Sequence, residues 1–191
     1  MLLYADTISL RCIAEPTFEP ITLEEAKAHA RIDIPDDDAL ITTMISAARK
    51  AAEGRLHRVL CESTWEWVLK AGPQEVKEVP VSPCFSCQSV KNNGAELGAG
   101  QYAFIASGSG GVSAPLYAVL NFSGETLAGD IITATVTAGY PAGKCPQDIR
   151  QWILVKITSF YEQRESFATG ANIHEFSRGF FDHLLDPYIL P

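Results

Sequence analysis

The spacing of apolar side chains changes its period along this chain, and that change restricts the available folds more than any other feature. Leu40, Ile41, Met44, Ile45, Ala48 and Ala52 recur at the interval that lines one side of an α-helix. From Thr64 the period falls to two: Thr64-Trp65-Glu66-Trp67-Val68-Leu69-Lys70 alternates large apolar with polar residues and is rich in aromatic and β-branched types, which predicts a strand. Asp130 to Ala138 repeats that grammar, with Ile131, Thr133, Thr135 and Thr137 on one face and Ile132, Ala134, Val136 and Ala138 on the other. Helix returns at Pro146-Gln147-Asp148, where proline suits a first turn and Asp148 suits the positive end of the dipole. Ile149, Trp152, Ile153, Ile157, Phe160 and Tyr161 then form a second helical stripe, ending near Arg164. This order predicts an α+β protein: a helical bundle core built from N- and C-terminal helices (1–60 and 141–191), carrying an inserted antiparallel β-rich subdomain (61–140).

Shorter signals sharpen the boundaries. Thr22-Leu23-Glu24-Glu25 has the form of a capping box, with the Thr22 hydroxyl placed to accept from the Glu25 amide and the Glu25 carboxylate placed to reach back. A short helix is expected from there to about Ile32, followed by Pro35 and an acidic run, Asp36-Asp37-Asp38, that caps a helix from Asp37 to about Arg58. Within the β-rich segment, Asn92-Asn93-Gly94 has hairpin-turn chemistry, and Gln101–Ala106 and Leu116–Phe122 are further strands. Gly108–Gly111 and Glu165–Gly179 are expected to be loops, and Phe180–Leu185 a short last helix.

Composition removes several function classes. The formal net charge is -8, from 15 Lys+Arg against 23 Asp+Glu, so the basic excess that drives tight binding to phosphate backbones is missing. No apolar run approaches the ~20 residues of a membrane span, no basic region with a long apolar run opens the chain, and a cytoplasmic protein is expected. The 5 cysteines are an odd set in a chain too large to need disulfide staples, and reduced thiols are the expectation.

The candidate chemical motifs each have a plainer reading. Cys84-Phe85-Ser86-Cys87 has CxxC spacing, but a zinc site needs further ligands and no second pair follows. His29, His57, His174 and His183 are far apart and have no partner at ligand spacing. Asp36-Asp37-Asp38 lacks the glycine and distal glutamate of a calcium loop. Gly108-Ser109-Gly110-Gly111 is not followed by Lys-Ser/Thr, and Trp65, Trp67 and Trp152 are expected in the core. No catalytic residue, cofactor-binding residue, cofactor or metal ligand is therefore assigned.

One order of elements does point to a family. Glu19-Pro20-Ile21-Thr22-Leu23-Glu24-Glu25-Ala26-Lys27-Ala28-His29-Ala30-Arg31-Ile32, with Asp36-Asp37-Asp38-Ala39-Leu40-Ile41 opening a long helix, resembles the start of the phage head-tail connector (adaptor, head-completion) proteins. Thr64-Trp65-Glu66, Thr137-Ala138-Gly139-Tyr140-Pro141 before Pro146-Gln147-Asp148-Ile149-Arg150-Gln151, and Tyr161-Glu162-Gln163-Arg164-Glu165 are similar to later features of its longer members, so the likeness runs from about Glu19 to Tyr188. The resemblance implies a non-enzymatic virion protein made in the host cytoplasm and resident at the head-tail joint. It implies a homo-oligomeric ring beneath the portal protein, bridging to a downstream head-completion or tail protein, with DNA passing through unbound and no membrane partner. A ring needs two different patches per subunit, and Arg49, Arg55, Arg58 and Phe167 are proposed for them, as residues of an exposed helix face or a loop. The competing readings are an adaptor at another virion joint and, further off, a small enzyme whose site carries no motif.

Overall fold

The computed structural model describes residues 6–71, 76–98, 100–107, 117–123, 130–162 and 181–189. The chain divides into two compact units, one of Met1–Thr17 with Cys61–Pro141 and one of Phe18–Leu60 with Ala142–Pro191.

The first unit is built from strands β1 (Thr7–Ala14), β2 (Ser63–Lys70), β3 (Val76–Glu78), β4 (Cys84–Asn92), β5 (Ala95–Glu96), β6 (Tyr102–Ser107), β7 (Tyr117–Phe122) and β8 (Ile131–Ala138). They form a five-stranded sheet in the order β1-β2-β8-β4-β5 and a three-stranded sheet in the order β3-β7-β6, with antiparallel pairing throughout. Period-two alternation fixes which face is buried. Along β8, Ile132, Ala134, Val136 and Ala138 point into the core, where they meet Trp67, Leu69, Cys84 and Val90 with Val79, Ala118 and Leu120. The β4–β5 connection is a two-residue turn with positive φ at both Asn93 (48°) and Gly94 (86°), the combination a type I′ hairpin requires. At Gly139 (φ 98°) the backbone lies so close to Cys61 that a β-carbon would sit 2.1 Å from the Cys61 carbonyl oxygen, so only glycine fits.

The second unit packs α1 (Leu23–Ala30), α2 (Asp38–Leu56) and α3 (Gln147–Glu162) against one another, with a 3-10 turn at Asp186–Tyr188. The capping box forms as the sequence predicts: the Glu25 amide donates to Thr22 Oγ1 at 3.2 Å and the Thr22 amide to Glu25 Oε2 at 2.9 Å. Ile41, Ile45, Ala48 and Ala52 of α2 and Ile149, Trp152, Ile153 and Ile157 of α3 are buried, whereas Leu40, at the edge of the predicted stripe, is exposed. Asp37 is the N-cap of α2 but makes no capping bond; it accepts instead from the Tyr161 hydroxyl at 2.6 Å.

The expected fold class needs correction. The described residues hold eight strands in two antiparallel sheets and three α-helices, so the protein is not a helical bundle core carrying an inserted β subdomain. The sheets enclose a core of their own, and Thr7–Ala14, counted with the helical part by the sequence reading, is a full strand of the larger sheet. Two bulges hid it, because the pairing of β1 with β2 slips between Thr7 and Ser9 and again between Cys12 and Ala14, which breaks strict alternation. Strand β4 was hidden in the same way, by slips between Cys84 and Ser86 and between Cys87 and Ser89. Leu116, Gly108–Gly111, Glu165–Gly179 and Phe180 lie outside the described residues; from Phe181 to Asp186 the chain makes successive turn hydrogen bonds.

Candidate assembly interface

Helix α2 carries three of the residues assigned to subunit contacts, and the expectation of a shared exposed face fails for two of them. Arg49 is 6% exposed and is clamped between two carboxylates of its own unit, Glu19 at 2.7 Å and Glu53 at 2.9 Å. Burial alone would favour loss of its proton, but Glu19 and Glu53 more than offset that and hold the guanidinium more firmly charged. The other oxygen of Glu53 accepts from the Leu60 amide at 2.9 Å, so Arg49 ties the segment ahead of α1 to the chain that leaves α2. Arg58 is also buried, at 5% exposure, and its Nε atom has no hydrogen-bond acceptor among the described residues. A helical wheel assigns both arginines to solvent; at Arg49 the carboxylates of Glu19 and Glu53 let the side chain turn inward.

Arg55 stands apart. Its side chain is 41% exposed, reaching Asp182 at 3.1 Å, and it shares the outer side of α2 with exposed Lys50, Ala51 and Gly54. Phe167 lies outside the described residues. The sequence-proposed contact set therefore does not come together as one patch; Arg55 is its member on an accessible surface.

The remaining motifs form no reactive centre among the described residues. Burial pushes the Cys84 thiol up to about 12 and the Cys87 thiol to about 11, with the neighbouring Cys87 adding to the effect on Cys84. Cys145 is likewise raised to about 12 by burial, so these thiols stay protonated and poorly nucleophilic at neutral pH. His29 meets the Thr158 hydroxyl at 3.0 Å, and His183 meets Asp186 at 2.7 Å. The described residues contain no group of three or more His, Cys, Asp or Glu side chains placed to hold a metal ion, and no helix long and apolar enough to cross a membrane.

The sequence reading missed a set of exposed apolar side chains. Ile8 (57%) and Ile13 (48%) project from β1 at its two bulges, Ile105 (49%) from β6, and Ile34 (53%) from the turn between α1 and α2. The signal was present in the run Thr7-Ile8-Ser9-Leu10-Arg11-Cys12-Ile13-Ala14, which reads as a strand once a bulge is allowed at each isoleucine.

Residues 20–93, which include α1, α2, β2, β3 and β4, match the family model of the phage gp6-like head-tail connector proteins. This stretch, less than half of the chain, is similar to the head-tail connector family. The matched region begins at Pro20, just ahead of the capping box, and takes in the Thr64-Trp65-Glu66 strand start. Among solved structures, the chain is similar to a chain in the virion of a native gene transfer agent (GTA) particle, with TM-score 0.73 and 17% identity over 96% of each chain. A chain in the neck of the empty GTA particle, computed with C6 symmetry, gives TM-score 0.72 and 19% identity, again over 96% of both. A chain in the neck of the native particle, computed with C12 symmetry, gives 0.70 and 16% over the same shares. At these identities the likeness establishes the fold, and it extends over the parts of the chain that the connector family match leaves out. No curated protein sequence matches the chain.

Proposed function

We propose that this protein is a structural, non-catalytic subunit of a ring at the head-tail joint of a tailed-phage-like particle. In this reading the ring sits beneath the portal, bridges to the next head-completion or tail component, and lengthens the channel through which DNA passes. The observation that carries it is the agreement of nearly the whole chain, 96%, with subunit folds from a particle neck computed with C6 and C12 symmetry. The connector family match over residues 20–93 supports the same reading independently of the fold.

The physical character of the chain is compatible with that role. DNA must slide past such a ring, and a net charge of -8 favours weak or repulsive contact with phosphate over a grip. Arg55, on the accessible side of α2, is the interface residue retained from the sequence-derived set.

The test is the mass of the purified protein by light scattering over a range of concentrations, with and without the portal protein of the same particle, followed by imaging of large species. A closed ring, alone or on the portal, is expected. A monomer or dimer that never engages the portal would move the assignment to another virion joint or away from the virion.

A further inference from the structure

We infer that neighbouring copies of this protein are joined edge to edge, the β1 strand of one copy pairing with the β6 strand of the next. This rests on the ring reading above and specifies its contact.

A strand at the end of a sheet offers a row of unpaired N–H and C=O groups, and proteins normally blunt such edges by keeping them short or by placing charge or proline on them. In the described residues this unit has four terminal strands: β1 and β5 in the larger sheet, β3 and β6 in the smaller. Two are blunted. Strand β5 is the two-residue Ala95–Glu96, and β3 is the three-residue Val76–Glu78 with Lys77 and Glu78. The other two are longer and less protected. Strand β6, Tyr102-Ala103-Phe104-Ile105-Ala106-Ser107, has neither charge nor proline, and Ala103, Ile105, Ala106 and Ser107 are exposed. Strand β1 is eight residues long and carries a single charge, the 67% exposed Arg11, which reaches Glu66 of β2 at 2.8 Å.

Bulges can also blunt an edge, but those of β1 place isoleucines, not charges, at its outer corners, flanking the regular stretch Ser9–Cys12. A lone copy gains nothing from presenting Ile8, Ile13 and Ile105 on strands that are terminal among the described residues. A head-to-tail ring requires two different, mutually complementary patches on each subunit, and two unlike open edges meet that requirement. Main-chain pairing would supply the register, and the isoleucines would supply buried apolar area on closure.

The test uses the full-length protein under the conditions that give rings. The paired substitutions Ile8→Lys and Ile13→Lys in one variant, and Ile105→Lys in a second, change exposed side chains and should leave circular dichroism and thermal midpoint close to wild type. Each variant alone should need about ten-fold more protein, or greater, to assemble. Mixing the two should give a heterodimer and no ring, because each keeps one intact edge and together they can make a single contact. A photoreactive residue at position 13, in a mixture of isotopically light and heavy copies, should cross-link between copies to the 102–107 strand. Folded variants that assemble like wild type, or cross-links that land elsewhere, would overturn the edge pairing and leave the ring reading intact. A wild-type protein that forms no ring with or without portal would overturn both.

Discussion

Arg49 and Gly139 are the two residues for which the surrounding geometry leaves least choice. Truncating Arg49 to alanine removes the shared partner of Glu19 and Glu53, whose side chains are 28% and 20% exposed, and strands two half-buried carboxylates close together. The expected cost is about 2 to 4 kcal/mol, read as a lower urea midpoint, because breaking one side of a buried ion pair costs more than the pair contributes. At Gly139, alanine faces both a positive φ and the Cys61 carbonyl, and Gly139→Ala should cost roughly 3 kcal/mol or abolish soluble expression. A melting temperature unchanged by Gly139→Ala would mean that the backbones at Cys61 and Gly139 do not approach so closely.

At the scale of elements, the start of α1 is the best-determined feature. The Thr22 amide holds the Glu25 carboxyl below the usual carboxylate range; desolvation opposes this, and Arg150 adds to the lowering. A carboxyl whose folded pKa is depressed contributes stability above its unfolded pKa, and that contribution disappears as pH falls through the folded value. Glu25→Gln should therefore be less stable than wild type at neutral pH, and the gap should close as the solution is made acid, measured by urea unfolding at a series of pH values. A gap that persists at low pH would assign the effect to packing and not to charge. The strands behave differently from α1. Strand β8 was read correctly down to its faces because nothing interrupts its alternation, while β1 and β4 were obscured because each bulge shifts the side chains beyond it by one position.

For the whole molecule, the assembly reading places Arg55 on a contact surface, and Arg55→Glu tests it. Its ion pair with Asp182 is partly solvated, so reversal should cost less than about 1 kcal/mol of folding stability. On that reading, assembly on the portal should nonetheless weaken, as seen by light scattering, because a negative charge replaces a positive one on the proposed contact surface. Rings that form as readily from the Arg55→Glu variant would remove that side of α2 from the interface.

The capping box of α1, the Asn93-Gly94 turn, the stripes of α2 and α3 and the alternation of β2 and β8 were legible from residue order, since each depends on neighbours a few positions away. The family likeness was legible for the same reason, resting on the order and spacing of local signals from about Glu19 to Tyr188, of which the family model matches residues 20–93. Tertiary structure decided the rest. It made Thr7–Ala14 a sheet edge, turned Arg49 and Arg58 inward, and gave the strands a core of their own. Those outcomes depend on partners far away in the chain, Leu69 for Thr7 and Glu19 for Arg49, whose contribution no local window contains.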